Sequence, residues 1–275
     1  MNKKFFKNNR NKLFQLLPDK CFAVLSSGYS VNRSADEDYD FAVNNNFFYL
    51  TGIKQTEVHL ILIKDGENIE ERLYIDEYDE HYAKWIGHKL TKKEASDLCG
   101  IAQKNIRYVS CYESELNELA QRFETVYIDL EKGRNVNYNS FGLSLADKLC
   151  SKSINDVYPL IIKLRAAKQK PEIELLAKAV DVTEKGINEL MRNAKPGMYE
   201  YQLEAYFDFS IKQNGNSEHS FKTIAASGIN ATTLHYSTND CVIKDGDLIL
   251  FDLGAKSSGY CADISRTFPI NGKFS

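Results

Sequence analysis

Residues 248–268 read LILFDLGAKSSGYCADISRTF, and this stretch decides the fold of the second half of the chain. The apolar run Leu248–Phe251 has the composition of a buried strand and ends at Asp252. The segment Tyr260–Phe268 has the pattern of a returning strand. Between them, the loop Lys256–Gly259 ends in a glycine that suits a hairpin. The sequence therefore predicts two antiparallel strands with a carboxylate on each.

The two aspartates of this hairpin are predicted to face each other. Pairing Ala255 with Tyr260 sets an antiparallel register in which Asp252 lies directly opposite Asp263. Opposed positions hold their Cβ atoms about 4.5–5.5 Å apart, where like charges repel. A divalent cation between them would remove the repulsion, and carboxylate oxygens suit Mn, Mg or Ca, with Zn and Co as further candidates. The alternative is that both face solvent or form an ordinary salt bridge, for instance with Arg266.

His235 is the histidine with the best case for a functional role. It follows a loop-like segment that contains Gly228 and Asn230, and it precedes Asp252 in the chain. A single histidine is more often structural than catalytic, so both interpretations stay open. Cys261 is a further candidate, as a nucleophile, although a small buried thiol is the commoner role for such a cysteine.

Two helices are predicted ahead of these strands. Apolar residues recur at helical spacing over residues 173–191, and Pro171 suits the first turn of that helix. A second helix runs from Tyr199 to the pair Asn214-Gly215, which suits a left-handed cap. Phe221–Ala226 is predicted as the first strand of the second half.

The first half of the chain alternates short apolar runs with helix-like stretches, which is typical of an α/β sheet. The predicted strands are residues 22–25, 58–63, 73–75 and 126–128. A capping box at Thr91–Glu94 opens one helix, and residues 113–122 form another. Because the pattern changes near residue 155, we predict two domains, residues 1–155 and 156–275.

Composition narrows the classes of function. The chain of 275 residues has 35 basic and 38 acidic side chains, so it lacks the basic excess of a nucleic-acid-binding protein. No apolar run approaches the roughly 20 residues that a membrane span needs. The six cysteines form no CxxC pair, and the basic amino terminus lacks the apolar core of a secretion signal. We expect a cytoplasmic protein with reduced thiols and with neither nucleic acid nor membrane as a partner.

Several segments of the chain share a common pattern. In the second half these are residues 226–228, 234–236, 251–255, 259–260 and 262–269, and in the first half residues 33–36 and 47–52. Together they resemble the metallopeptidase family that contains Xaa-Pro aminopeptidase (aminopeptidase P), prolidase and creatinase. The pattern is most similar to that of aminopeptidase P.

The resemblance implies a fold in two parts. The first is a creatinase-like α/β domain with a mixed sheet, and the second is the first half of an α+β pita-bread catalytic domain, in which helices back an antiparallel sheet. The family has two divalent metal ions, commonly manganese, and removes the first residue of peptides with proline in second position. By similarity, Asp252 and Asp263 would bind the metals, while His235 would line the substrate pocket and orient the scissile peptide. A homo-oligomer is also expected.

One feature departs from the family pattern. The family centre also needs a histidine and two glutamates further along the chain, whereas residues 264–275 contain no His, Asp or Glu. We therefore expect an incomplete metal site and an inactive fragment of a longer aminopeptidase. One alternative is a non-catalytic module for interaction or oligomerisation. Another is a family member that acts on Xaa-Pro dipeptides or on a non-peptide amidine or amide.

Overall fold

The structure is a computed structural model that describes residues 1–77, 80–131, 140–215 and 218–274. The chain forms two compact units, residues 1–167 and 168–275. The division lies twelve residues after the boundary that the sequence indicates near residue 155. The difference arises because the strand Ser153–Asp156 spans that point and the helix Tyr158–Ala166, which follows it, packs Ile161 into the core of the first unit.

The first unit contains seven helices and eight strands among its described residues. The helices are α1 (Lys3–Leu16), α2 (Asn45–Thr51), α3 (Glu80–Ile86), α4 (Lys92–Cys99), α5 (Tyr112–Arg122), α6 (Ser140–Lys148) and α7 (Tyr158–Ala166). The strands are β1 (Cys21–Ser26), β2 (Asn32–Ser34), β3 (Glu37–Asp38), β4 (His59–Asp65), β5 (Asn68–Ile75), β6 (Ile106–Tyr108), β7 (Thr125–Ile128) and β8 (Ser153–Asp156).

Six of these strands form a mixed sheet in the order β6-β5-β4-β1-β7-β8. β4 is antiparallel to β1 and β5, whereas β7 is parallel to β1 and β8, and β5 is parallel to β6. The mixed α/β sheet predicted from the sequence is confirmed. The strand predicted at residues 126–128 and the capping box of Thr91 and Glu94 are both present.

Strand β1 shows why the first unit has two cores. All six of its residues are buried, because helices cover both faces of the sheet. Side chains alternate along the strand, so Cys21 and Ala23 pack into one core while Phe22 and Val24 pack into the other. A continuous apolar run in the sequence therefore corresponds to a central strand.

The second unit contains two helices and five strands among its described residues. They are α8 (Lys170–Asn193), α9 (Glu200–Gln213), β9 (Ile224–Ser227), β10 (Leu248–Leu253), β11 (Lys256–Ser257), β12 (Tyr260–Cys261) and β13 (Ile264–Pro269). Both helices agree with the sequence prediction, including the proline in the first turn of α8. The predicted strand Phe221–Ala226 begins later, at Ile224.

A three-stranded antiparallel sheet of order β13-β10-β9 forms the centre of the second unit. Ile249, Phe251 and Leu253 of β10 are buried in one cluster with residues of α8 and α9. The alternate residues of β10 point away from the helices. One face of the sheet is therefore backed by helices and the other is open.

The helices of the described residues do not meet the requirements of a membrane span. Within residues 1–77, 80–131, 140–215 and 218–274, none combines the length and the apolar character that crossing a bilayer demands.

Candidate metal centre

The hairpin that carries both aspartates has a shorter turn than the sequence suggested. Strands β11 and β12 pair Ser257 with Tyr260, so Ser258 and Gly259 alone form the turn. Their φ angles are 48° and 89°, the left-handed values of a type I′ turn, which matches hairpin twist. The predicted four-residue loop is wrong, because Ser258 adopts a conformation that is uncommon for residues other than glycine.

The shorter turn changes the register between the two aspartates. Strand β13 places Ser265, not Asp263, directly opposite Asp252. Asp263 lies across from Gly254, so the predicted register is wrong by two residues. Since side chains alternate with a period of two, a shift of two residues leaves both carboxylates on the same face of the hairpin. They are diagonal neighbours rather than a directly opposed pair.

Asp252 lies on the open face of the second sheet. Its neighbours Phe251 and Leu253 are buried against the helices, whereas Asp252 is partly exposed. The hydroxyl of Ser265 donates a hydrogen bond of 2.8 Å to Oδ1 of Asp252. This contact holds one carboxylate oxygen and leaves the rest of the group directed to the open face.

Asp263 is exposed and stands close enough to Asp252 for the two to interact. Partial desolvation raises the pKa of the Asp263 carboxyl, and the negative charge of Asp252 and a hydrogen bond between the two carboxyl groups raise it further. The two carboxylates therefore repel each other when both are ionised.

No salt bridge to either aspartate is present among the described residues. The guanidinium of Arg266, the predicted alternative partner, donates to the backbone oxygen of Ser265 at 2.7 Å. Two neighbouring hard oxygen groups with no basic partner fit a divalent cation. In chemical terms, Asp252 and Asp263 are suited to hold such an ion.

Helix α8 supports the hairpin from behind. The hydroxyl of Thr183 accepts a hydrogen bond of 2.9 Å from the N–H of Ala255, next to the turn region. The carboxylate of Glu172 accepts one of 2.9 Å from the hydroxyl of Tyr260. Because both contacts tie the hairpin to one helix, the two aspartate-bearing strands are held in a defined position.

The structure places the other two candidate residues on the surface. His235 is exposed in the irregular segment that follows the short 3₁₀ helix Gly228–Thr232, and within the described residues it makes no hydrogen bond to Asp252 or Asp263. His235 is therefore not a buried structural histidine. Cys261 is exposed on β12, so the expectation of a buried thiol is wrong.

Glu200, which the sequence analysis did not single out, organises the segment around His235. It lies in the first turn of α9, and its side chain is fully buried. Five donors reach its carboxylate: the N–H and the hydroxyl of Ser227 (both 2.7 Å), the amide of Asn230 (3.2 Å), the hydroxyl of Tyr236 (2.7 Å) and the N–H of Cys241 (3.1 Å). Nothing in the local sequence signals these contacts, which come from residues distant in the chain.

The hydrogen bonds keep Glu200 charged. Burial by itself raises the pKa of this carboxyl, but the donations from Tyr236, Ser227 and Asn230 outweigh it, and the pKa is lowered overall. The possible ligand atoms of Glu200, Asp240 and Cys241 lie within 4.8 Å of one another, which is close enough for a shared metal ion. The oxygens of Glu200 are already occupied by protein donors, so this group fits a structural role better than a metal site.

Replacing Glu200 with Gln should loosen the segment that carries His235. The amide nitrogen of Gln cannot accept a hydrogen bond. The donors that reach one of the two carboxylate oxygens would therefore lose their acceptor, which should lower the free energy of unfolding by about 1–3 kcal/mol. We expect a lower free energy of unfolding and faster amide exchange at Ser227 or Cys241, measured by denaturation and by hydrogen exchange. The exposed Glu174→Gln on α8 is the matched control, and equal behaviour of the two variants would contradict this role.

The same carboxylate predicts a dependence on pH. Since the pKa of Glu200 lies below the ordinary value of 4.5, its stabilising effect is complete above that value and is lost as the pH falls through the folded-state pKa. The difference in stability between the native chain and Glu200→Gln should therefore shrink in acid.

Two family models match the chain. "Metallopeptidase family M24" matches residues 174–275, and "Aminopeptidase P, N-terminal domain" matches residues 6–127. Among curated proteins, the Xaa-Pro aminopeptidase of Escherichia coli K12 is 30% identical over 98% of this chain and 62% of its own length. Human Xaa-Pro aminopeptidase 3 is 29% identical over 93% of this chain and 51% of its own length.

Solved structures agree with these matches. A Bacillus anthracis protein provisionally assigned as an aminopeptidase P is 40% identical, with a TM-score of 0.93, over 100% of this chain and 67% of its own. E. coli aminopeptidase P with the inhibitor Pro-Leu is 29% identical, with a TM-score of 0.88, over 100% of this chain and 64% of its own.

The chain thus spans a little over three fifths of the E. coli relative. Its first unit is the amino-terminal domain of these proteins, and its second unit corresponds to part of their pita-bread domain. The chain belongs to the aminopeptidase P (Xaa-Pro aminopeptidase) group of metallopeptidase family M24.

Proposed function

We propose that the protein is a metal-dependent aminopeptidase that removes the amino-terminal residue from peptides with proline in second position. The observation that carries the proposal is the pair Asp252 and Asp263, two carboxylates on one open face with no basic partner among the described residues. The family membership and the names of the curated relatives support the reaction type. A divalent metal pair, when bound, supplies activated water and polarises the scissile carbonyl.

Asp252 and Asp263 have the role of metal ligands in this proposal. Binding a cation between them offsets the repulsion of their negative charges, which together with desolvation raises the pKa of Asp263. The hydroxyl of Ser265 orients Asp252 by its bond to Oδ1, in the way that outer hydrogen bonds orient ligating carboxylates. Manganese is the metal we propose, because the donors are hard oxygens and the family commonly uses it.

His235 has the role of a substrate-binding residue that also assists catalysis. His235 is exposed and lies in the chain between Asn230 and Cys241, both of which are hydrogen-bonded to Glu200. An imidazole nitrogen in this position can hydrogen-bond to the peptide group that is cleaved and orient it. Glu200 acts only by holding the segment.

The complete centre requires ligands beyond the two aspartates. The family resemblance assigns these to a histidine and two glutamates that residues 264–275 do not contain. A polypeptide restricted to residues 1–275 should therefore bind a metal weakly and lack the second ion, because affinity depends on ligand number and geometry. We expect no useful hydrolysis from this polypeptide alone.

Two further properties belong to the proposal. A cytoplasmic location is supported by the six cysteines, all of which are free thiols. Self-association is supported by β13, an edge strand of its sheet, since the unpaired groups of an edge strand favour pairing with another chain.

The proposal is tested with a fusion in which residues 1–275 are followed by the remaining third of the Bacillus anthracis relative. An Arg-Pro-Pro peptide is incubated with the fusion and with residues 1–275 alone, each with Mn²⁺ and with a chelator. We expect release of arginine by the fusion only in the presence of the metal. Robust turnover by residues 1–275 alone would contradict the incomplete centre.

The alternatives predict different outcomes of the same assay. A fusion that binds Mn²⁺ but cleaves Xaa-Pro dipeptides and not longer peptides would indicate a dipeptidase. A folded fusion that binds the metal and cleaves no Xaa-Pro peptide would overturn the proposed reaction in favour of a non-peptide substrate or a non-catalytic module.

A further inference from the structure

The first unit contains a cavity of about 420 Å³ beside the end of β4. This volume lies in the range of sites for small molecules. The cavity is lined by aromatic rings, by carboxylates and by His59. No part of it involves the carboxylate pair of the second unit, so its role is independent of the proposed peptidase reaction.

Two residues that line the cavity each have a buried polar atom without a hydrogen-bond partner among the described residues. These atoms are Nδ1 of His59 and the hydroxyl oxygen of Tyr112, and both residues are only 4% exposed. A buried polar atom without a partner is destabilising, and folded proteins satisfy nearly all of them. Two such atoms beside one cavity point to a ligand that forms hydrogen bonds with both of them.

Aromatic rings surround the imidazole of His59 at the cavity. The rings of Tyr112 and Phe141 stack on the imidazole of His59 at centroid distances of 4.5 and 5.0 Å. Tyr29 lies 6.3 Å from both His59 and Phe141. Burial lowers the pKa of His59 to about 4, so the imidazole is neutral at pH 7 and one of its nitrogens is a hydrogen-bond acceptor.

The charges around the cavity are mostly negative. Three carboxylates line it, those of Glu57, Asp76 and Glu113. Asp76 forms an ion pair with Lys89, and Glu113 forms one with Lys148. Glu57 has no ion pair among the described residues, so the lining carries an uncompensated negative charge. A ligand with a positive charge would satisfy it.

We propose that this cavity binds a small organic cation in which an N–H-bearing cationic group, such as an amidinium or ammonium, is attached to a flat apolar body. The flat body packs against the aromatic side chains that line the cavity, Tyr29, Tyr112 and Phe141, whose ring faces also attract cations. The N–H groups donate to Nδ1 of His59 and to the hydroxyl of Tyr112. The positive charge pairs with Glu57.

Benzamidine is the probe for this site, because two close analogues isolate its charge. Benzamide has nearly the same shape and no charge, and benzoate has a negative charge. Each is titrated into the 275-residue chain by calorimetry and by NMR of the His59 and Tyr112 side chains. We expect benzamidine to bind at least about tenfold more tightly than benzamide, as charge-assisted hydrogen bonds imply, and benzoate not to bind. Equal binding of benzamidine and benzamide, or no binding by either, would overturn the proposal in favour of ordered water.

Two variants locate the binding. Glu57→Gln should weaken benzamidine binding by roughly tenfold, and Tyr112→Phe by a few-fold. Loss of an unpaired hydroxyl does not destabilise the fold, so Tyr112→Phe should unfold at the same denaturant concentration as the native chain or at a higher one. The controls are Glu67→Gln, an exposed residue outside the cavity, and Asp263→Asn, which tests binding to the carboxylate pair of the second unit. Unchanged affinity in Glu57→Gln and Tyr112→Phe, or a loss in Asp263→Asn, would place the binding elsewhere and overturn the proposal.

Discussion

Asp263→Asn in the fusion protein should lower kcat/KM for Arg-Pro-Pro by roughly 10³-fold. The substitution replaces one of the two carboxylates that this chain offers to the metal with a neutral amide and keeps the shape of the side chain. It also removes the negative charge next to Asp252, so the site attracts a divalent ion less strongly. The second readout is Mn²⁺ binding, measured by electron paramagnetic resonance, which should fall together with the activity.

Two further substitutions separate ligand loss from general damage. Ser265→Ala removes the hydroxyl that donates to Asp252 and should cost roughly 10-fold to 100-fold, the range for groups that orient a ligand. Asp147→Asn changes an exposed aspartate in the first unit and should leave activity and metal binding unchanged. If Asp263→Asn retains native Mn²⁺ affinity and native turnover, Asp263 is not a ligand.

Gly254→Ala should destabilise the second unit more than any other glycine-to-alanine change in the hairpin region. A Cβ at Gly254 would lie 1.9 Å from the backbone oxygen of Ala262, which no side-chain rotation can relieve. The strands that carry Asp252 and Asp263 would have to separate at this point. We expect a loss of about 3 kcal/mol in the free energy of unfolding, the upper range for overpacking, together with weaker Mn²⁺ binding.

Gly246→Ala provides the matched control for Gly254→Ala. Its Cβ would meet no atom within 4 Å, but its φ of 84° is left-handed, which costs an alanine about 1–2 kcal/mol. Chemical denaturation of both variants compares steric clash with backbone strain. A Gly254→Ala chain as stable as Gly246→Ala would show that the hairpin is not closely packed at this position.

The helices were predicted well because their signals are local. The periodic apolar residues of α8, the proline in its first turn and the capping box of α4 each act within a few residues. The turn between the aspartates was not predicted, because its length depends on Ser258 taking a positive φ. The error in register was an even number of residues, and for that reason the expectation that both aspartates share a face survived it.

The supporting residues of the site could not be found from the sequence. Glu200 gathers donors from Ser227 to Cys241, and Thr183 reaches Ala255 across 72 positions of the chain. The cavity of the first unit depends likewise on His59, Tyr112 and Phe141, which lie on three different elements. Such contacts carry no local pattern, since each depends on where separate elements pack.

The sequence by itself determined the family, the mixed sheet of the first unit, the helices of the second and the identity of the paired aspartates. These follow from residue types at short spacings, where periodicity and motif chemistry act directly. The tertiary structure alone decided the diagonal placement of Asp252 and Asp263, the closeness of Gly254 to Ala262 and the unpaired atoms of His59 and Tyr112. The physical reason is that register, close packing and hydrogen-bond satisfaction depend on contacts between distant segments, which exist only once the strands and helices have packed together.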